Sequence, residues 1–396
     1  MESTSRKAEA LLASCLDGRW RRDLLDSLLA AGGTKELLSI VVEGLSDRFE
    51  PRLCDLYAEL FGEALARAIP GLDAHELRRR YERIRAPRVC TAEDPARVVV
   101  LSRVTLGADA AVTSVLLDAA KRRFPRARIE LAGSRKAWEL FGADPRIDHL
   151  PVAYPRGGTL AERLSGWPAL RNALDGALVV DPDSRLTQLG LLPVCSDEHY
   201  FFFESRASGG DRDAPLGLLA AEWARAVFGV DGKPFIAPVE TPHRTGDAAV
   251  SFGVGENPAK RVADPFEAGL LGGVAARGLS LVVDRGAGGE EGERVDRAVA
   301  ACGGARIQVW DGSFAAFARS IQASRVYVGY DSAGQHAAAA AGVPSVTVFA
   351  GYPCERMFQR WRPWSRVPHA VIQVKDEQPE TLVAQALEAV DRLAVS

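Results

Sequence analysis

The sequence predicts an α/β protein in which two domains of alternating strands and helices face each other across a cleft, after an N-terminal all-helical appendage. Three observations support this fold class. Short β-branched runs alternate with helical stretches from Arg97 onward, the alternation restarts after the proline-containing linker 234–246, and the residues before about Ala86 show helical spacing only. Strands that alternate with helices form parallel β-α-β units with right-handed crossovers.

The composition is that of a globular protein with more than one domain. A chain of 396 residues exceeds the size of one ordinary domain. Hydrophobic residues make up 47% and charged residues 26%, so there is ample apolar material for a core. The net charge of -3 gives no basic footprint, and we therefore expect no nucleic-acid partner.

The cysteines and the N-terminus indicate the cellular compartment. Six cysteines are scattered without a C-x-x-C pair, which favours a reducing cytosol over a zinc or redox site. The N-terminus lacks the apolar core of a signal peptide, and no apolar stretch approaches the roughly 20 residues that cross a bilayer. We expect a cytoplasmic protein without a transmembrane segment, and peripheral contact with the inner face of the membrane stays open.

The chain divides into four parts. Residues 1–90 carry leucines and alanines at helical spacing and form the helical appendage. Residues 97–240 begin with the strand 97–101 and the helix 110–124, and residues 246–375 repeat the alternation. Residues 376–396 contain a closing helix. Ligands of such parallel sheets bind beyond the carboxyl ends of the strands, so we expect the site in the cleft.

The most informative segment is 328–344, which runs from a strand into a helix through small residues. The free N–H groups of a helix start carry about half a positive charge and suit a phosphate. Asp331 can cap the helix or orient a partner, and His336 can donate to a phosphate or a ribose. The residues that would let an anion approach the backbone are Ser332, Ala333 and Gly334. An ordinary capped helix with a buried histidine explains the local pattern equally well.

This segment resembles the signature of glycosyltransferase family nine, through Asp331-Ser332, His336, the alanines 338–340, Gly342 and Pro344. The family includes the lipopolysaccharide heptosyltransferases and has the GT-B fold of two Rossmann-like domains. The resemblance implies an acceptor domain at 97–240, a nucleotide-sugar domain at 246–375, and a C-terminal helix at 376–396 that packs back. Ala333 stands where the family has glycine, and Gly334 is shifted by one place.

A second match surrounds Asp109. Arg103 precedes it and Thr113 follows it at the family's spacings, whereas the glycine stands one place early and Ala108 replaces it. The resemblance implies that Asp109 is the general base that deprotonates the acceptor hydroxyl. A carboxylate on a strand-to-helix loop at the cleft is well placed for this task. From the local pattern alone, a helix cap is the favoured alternative, and one residue can do both.

Further candidates come from two loops of the second domain. Lys260 follows the loop after the strand 248–252, and the resemblance implies that it contacts the donor phosphates. A lysine supplies a mobile positive charge to a diphosphate leaving group without a metal. The resemblance also implies an acidic residue near the nucleotide ribose, a role that Glu291 or its neighbour Glu290 would fill, since a carboxylate accepts two hydroxyl donors. A solvated acidic helix start is an equally good account of both.

Four residues are candidates for the acceptor side of the cleft. Asp183 and Arg185 lie in a polar turn that follows the strand 177–181, and Arg103 and Thr113 flank the proposed base. No Asp-x-Asp metal motif occurs in a suitable context, although Asp181 and Asp183 come nearest. We therefore expect neither a metal nor a cofactor.

The resemblance implies an inverting, metal-independent glycosyltransferase of the heptosyltransferase type. The donor would be a nucleotide-sugar, and the acceptor a glycan or a lipid-linked hydroxyl of a cell-envelope polysaccharide. Two alternatives stay open. One is a nucleotide-sugar epimerase or hydrolase of the same fold, and the other is a degenerate relative that binds a nucleotide-sugar or a partner without catalysis.

Overall fold

Helices alone precede the first strand in the computed structural model, which describes residues 3–241, 243–255, 257–303 and 306–394. A π-helical turn, Leu37–Val42, connects α3 to α4. Ser3 caps α1 by accepting from the Arg6 N–H, and Pro51 opens α5 at a position that needs no N–H donor. The helices are α1 Thr4–Leu16, α2 Arg22–Ala30, α3 Thr34–Glu36, α4 Glu43–Ser46, α5 Pro51–Ala68 and α6 Ala74–Ile84.

The first α/β domain contains a parallel sheet in the order β3-β2-β1-β4-β5. The strands are β1 Arg97–Leu101, β2 Arg128–Gly133, β3 Ile147–Pro151, β4 Leu178–Asp181 and β5 Tyr200–Phe202. The helices are α7 Leu106–Ala108, α8 Ser114–Arg123, α9 Arg135–Trp138, α10 Leu160–Arg163, α11 Trp167–Ala173 and α12 Leu216–Phe228. Val98 pairs with Ile129 on one side and Leu178 on the other, so β1 is central.

The helical appendage covers one face of this sheet. Because side chains alternate along a strand, Val99 and Leu101 point to the appendage while Val98 and Val100 point to α8 and α12. Appendage residues such as Phe61 share a core with Val99 and with the adjacent strands. Polar contacts add to this packing, since Arg80 is buried and forms an ion pair of 2.8 Å with Asp197. The appendage is therefore a structural layer of the first α/β domain.

The second α/β domain contains a parallel sheet in the order β11-β10-β9-β6-β7-β8. The strands are β6 Ala248–Ser251, β7 Leu281–Asp284, β8 Ile307–Trp310, β9 Val326–Tyr330, β10 Ser345–Phe349 and β11 His369–Gln373. The helices are α13 Phe266–Ala275, α14 Gly289–Ala301, α15 Phe314–Gln322, α16 Ala333–Ala341, α17 Glu355–Trp361 and α18 Pro379–Ala394. The closing helix α18 packs back on its own domain, where Leu382 and Val390 share a core with α13 and the sheet.

The two domains meet where the loop after β1 faces the loop after β9. One hydrophobic core runs across the junction and includes Val112 of the first domain and Ala337 of the second. A Cβ added at Gly107 would lie 3.3 Å from the Ala333 Cα, so the two backbones are in contact there. The carboxyl ends of the two sheets thus face each other, which confirms the predicted fold class.

Within the described ranges, we find no helix that combines the length and the apolar character of a membrane span.

Candidate functional site

Asp109 lies within a helix and not at its start. The helix after β1 begins at Leu106, with Thr105 at the N-cap position, so the alternative prediction of a helix cap is wrong. A π-helical turn, Asp109–Thr113, follows α7 and leads into α8. Such π turns inside helices occur frequently at functional sites. Here the turn places the Thr113 hydroxyl against the Asp109 carboxylate.

The Asp109 carboxylate is fully buried and accepts three hydrogen bonds. Ser102 Oγ donates to Oδ2 at 2.7 Å, while the Arg103 N–H and Thr113 Oγ1 donate to Oδ1 at 2.7 and 2.8 Å. Burial raises the pKa of Asp109 to about 6, against the lowering effect of these donors. A carboxyl group with a pKa in this range is an effective general base at neutral pH.

Strained backbone surrounds this carboxylate. Val104, in the loop between β1 and α7, has a φ of 74°, a conformation that a β-branched residue rarely adopts. Among the described residues, the non-glycine positions with positive φ lie in three loops: Phe49, Val104, Asp183, Gln188 and Leu189. Strain of this kind persists where the surrounding structure fixes it, and it concentrates at functional sites.

On the facing domain, Lys260 and Asp331 form an ion pair. Lys260 Nζ lies 2.6 Å from Asp331 Oδ2 and 3.2 Å from the Asp331 carbonyl oxygen. Gln335 Nε2 donates to the other carboxylate oxygen. Burial raises the pKa of Asp331, and the Lys260 ammonium lowers it. The lysine is thereby held beside the start of α16, where the family resemblance predicts the donor phosphates.

His336 is buried one turn into α16 and stays uncharged at neutral pH. Burial and the Lys260 charge lower its pKa to about 3. Its ring centroid lies 5.8 Å from that of Trp361. A neutral imidazole can still donate one hydrogen bond to a phosphate or a ribose.

The small residues at the start of α16 have different surroundings. Ser332 is the N-cap, and Ala333 abuts Gly107 of the other domain. A Cβ added at Gly334 would clash with the Tyr327 hydroxyl oxygen. Gly334 is therefore required by the packing of Tyr327 beneath the helix, a role that the sequence did not indicate.

Glu291 faces the site, whereas Glu290 is exposed. A Cβ added at Gly253 would lie 3.1 Å from Glu291 Oε1, so the carboxylate reaches the loop after β6. Burial and the Asp284 charge raise the pKa of Glu291. This placement fits the hydroxyl-binding role predicted for Glu291.

The residues predicted for the acceptor side form different contacts in the structure. Arg103 Nη1 donates to the Pro182 carbonyl at 2.7 Å and to Ser205 Oγ at 2.6 Å, next to Asp109. Thr113 binds Asp109 itself. Arg185 binds Glu43 of the appendage at 3.0 Å.

Asp183 is engaged in a structural ion pair. Its carboxylate is fully buried and binds Arg206 through both oxygens, with Nε and Nη2 each at 2.9 Å. Ser205 Oγ also donates to it at 2.9 Å. No carboxylate oxygen of Asp183 faces the cleft free, so the structure does not favour its predicted contact with an acceptor.

Sequence reasoning missed three residues of this site. Ser102 binds the carboxylate of Asp109 and Gln335 binds that of Asp331, and Asp47 of the appendage interacts electrostatically with Lys260 and Asp331. Gln335 stands four residues after Asp331, a helical spacing that could have indicated the contact. Within the described ranges, no cluster of three or more histidine, cysteine, aspartate or glutamate side chains could hold a metal ion.

Comparison with known proteins relates the fold to solved structures. No family model and no curated protein sequence matches this chain. A glycosyl transferase family 9 structure from Veillonella parvula has a TM-score of 0.58 at 14% identity, covering 77% of this chain and 99% of that chain. E. coli heptosyltransferase WaaC with ADP has a TM-score of 0.56 at 16% identity, covering 75% and 99%. E. coli ADP-heptose lps heptosyltransferase II has a TM-score of 0.53 at 18% identity, covering 76% and 98%.

These similarities cover nearly the whole of each solved chain, and they leave about a quarter of this chain without a counterpart. The predicted resemblance to glycosyltransferase family nine is thus supported at the level of the fold. This chain has the two-domain architecture of the family-nine heptosyltransferase structures.

Proposed function

We propose that this protein is a glycosyltransferase that moves a sugar from a nucleotide-sugar donor to a glycan or lipid-linked hydroxyl. The observation that carries the proposal is that a candidate general base in the first domain lies across the domain junction from candidate phosphate-binding groups in the second domain. Asp109, a buried carboxyl with a pKa of about 6, lies in the helix whose Gly107 abuts Ala333 at the start of α16. Lys260 is held beside that helix start by its ion pair with Asp331. The two E. coli structures with ADP and with ADP-2-deoxy-2-fluoro heptose make ADP-sugars the first donors to test.

The chemistry is a single displacement at the anomeric carbon. Asp109 takes the proton of the acceptor hydroxyl, whose oxygen forms a bond to the anomeric carbon. The bond from that carbon to the diphosphate oxygen breaks, and the electron pair leaves with the nucleoside diphosphate. Lys260 and the N–H groups at the start of α16 stabilise the departing charge without a metal. One displacement inverts the anomeric configuration.

The two domains must separate for this reaction. Asp109 is fully buried, and Gly107 and Ala333 are in contact across the junction. The acceptor therefore reaches the base only after a hinge movement about the linker that joins the domains, a common mode of closure around ligands. We place the reaction in the cytoplasm, at the inner face of the membrane if the acceptor is lipid-linked.

Replacing Lys260 with glutamine should weaken donor binding by roughly 10- to 100-fold, because hydrogen bonds to charged groups contribute about 1.5–3 kcal/mol. Titration calorimetry with a panel of nucleotide-sugars measures this. Lys7→Gln is the matched control, since Lys7 lies in the appendage and binds the Ser27 carbonyl. Equal affinity of Lys260→Gln and the unaltered protein would contradict the assignment, and no binding at millimolar concentrations would contradict the proposed function.

Replacing Thr113 with valine should move the acid limb of the kcat/KM profile to higher pH. The general base must be ionised, so activity falls as the pH drops through the pKa of Asp109, about 6. Valine removes a hydrogen bond that stabilises the ionised carboxylate, which raises that pKa. Ser114→Ala is the control, since Ser114 Oγ donates to the Ala110 carbonyl. If the acid limb of the kcat/KM profile of Thr113→Val stayed at the pH of the unaltered protein, the role of Asp109 as the base would be contradicted.

A further inference from the structure

The loop that joins α4 to α5 connects the helical appendage to the second α/β domain through direct contacts. Cys354 Sγ donates to the Asp47 carbonyl at 3.7 Å, and Arg356 Nη1 donates to the Phe49 carbonyl at 3.1 Å. The Phe49 ring meets Trp361 edge-on, with the centroids 6.3 Å apart. Residues 47–50, here called the bridging loop, thus bind the segment that follows β10.

The bridging loop is held in a strained shape. Phe49 is buried and has a φ of 52°. A bulky residue rarely adopts this conformation, and it persists only where contacts on both sides fix it. Trp361, which binds Phe49, also lies beside His336 and 5.9 Å from the Arg103 guanidinium carbon. The loop is therefore fixed against residues of both halves of the site.

Asp47 presents a partly buried carboxyl group to this region. Within the part of the chain that the structure describes, no donor forms a hydrogen bond to that carboxyl. Burial and the charge of Glu43 raise its pKa to about 6, while the charges of Arg185 and Lys260 lower it. The carboxyl thus interacts electrostatically with Lys260, the lysine assigned to the donor phosphates, and with Arg185, a candidate for the acceptor side.

The sugar of a bound donor would lie between the diphosphate at Lys260 and the base Asp109. The bridging loop brings Asp47 to this region, because its Asp47 carbonyl binds Cys354 and its Phe49 ring contacts Trp361, which lies beside Arg103. Partial burial removes part of the hydration of the Asp47 carboxylate, and hydrogen-bond donors of a ligand can replace it. Sugar hydroxyls are such donors, and hydrogen bonds to an ionised acceptor are stronger than neutral ones. A diphosphate supplies no donor and is repelled by a carboxylate.

We propose that Asp47 accepts hydrogen bonds from hydroxyl groups of the transferred sugar. The bridging loop then makes the helical appendage a specificity-determining wall of the donor site. This inference rests on the proposed function, since it requires a nucleotide-sugar in the cleft.

Asp47→Asn tests the inference, because its effect on the binding of the nucleotide-sugar can be compared with its effect on the binding of the nucleoside diphosphate. At pH 8, where Asp47 is ionised, the variant should bind the accepted nucleotide-sugar roughly tenfold more weakly than the unaltered protein. It should bind the corresponding nucleoside diphosphate equally well or more tightly, because a repelling charge has been removed. Titration calorimetry gives both dissociation constants. Asp17→Asn, an exposed change elsewhere in the appendage, should alter neither.

Each other outcome has a defined meaning. Equal weakening of both ligands points to a general disturbance of the loop and overturns the assignment of Asp47, as does unchanged binding of both. A thermal melt identifies a variant that fails to fold, in which case Asp47→Glu serves as the second variant and should also weaken only the nucleotide-sugar. No binding of any nucleotide-sugar by the unaltered protein overturns the proposed function itself and this inference with it.

Discussion

Replacement of Asp109 with asparagine should lower kcat by about 10²- to 10⁴-fold, the usual contribution of a positioned general base. Asparagine keeps the size of the side chain and an oxygen that accepts hydrogen bonds from Ser102 or Thr113. It cannot take the proton of the acceptor hydroxyl. Donor binding should be unchanged, because Lys260 and the start of α16 carry that task. Steady-state kinetics together with calorimetry measure the two effects separately.

Asp118→Asn is the matched control for this prediction. Asp118 lies farther along the same stretch of helix, in α8, and its carboxylate binds Arg122 and the Lys233 N–H. This variant should retain kcat. If Asp109→Asn retained kcat as well, the carboxylate would be a structural group and the proposed mechanism would be wrong.

Replacement of Asp183 with asparagine should destabilise the protein by about 3–5 kcal/mol, because it leaves the buried guanidinium of Arg206 without its counter-ion. Asp183 has a φ of 71°, which asparagine tolerates, so the change isolates the loss of charge. The Arg206 guanidinium also lies 4.8 Å from the ring centroid of Tyr57, so the loss should loosen the packing of the appendage. Urea unfolding followed by circular dichroism measures the free energy.

Asp23→Asn, in an exposed pair with Arg21, should leave the unfolding midpoint unchanged. A second result would reinstate the sequence-based prediction for Asp183. If Asp183→Asn had unaltered stability but a raised KM for the acceptor, its carboxylate would contact the acceptor after all.

The fold was predictable because its signals are local. Runs such as Val98–Val100, buried on both faces, predict central parallel strands, and the structure places them there. The edge strand β11 and the closing helix α18 also follow from local patterns. The helix start at Ser332 was predictable for the same reason, since a strand, small residues and a periodic alanine run are neighbours in the chain.

The rest depends on contacts between distant segments. The Arg206 partner of Asp183 stands 23 positions away, and Tyr327 reaches Gly334 from the preceding strand, so neither role is visible as a motif. The π-helical turn at Asp109 has no distinct hydrophobic period. The appendage gave a helical pattern but no indication of the sheet face that it covers. The proposed role of Asp47 depends on the contact of the bridging loop with Cys354, 307 positions away.

Sugar transfer itself is the most direct test of the central claim. The purified protein is incubated with each nucleotide-sugar of a panel, with and without a cell-envelope glycan and lipid extract, and nucleoside diphosphate release is measured. The anomeric configuration of the product is read by NMR. We predict release that requires the acceptor, with inversion at the anomeric carbon. Release or isomerisation without an acceptor would indicate a hydrolase or an epimerase, and no turnover of a bound donor would indicate a binding protein; either result would contradict the account.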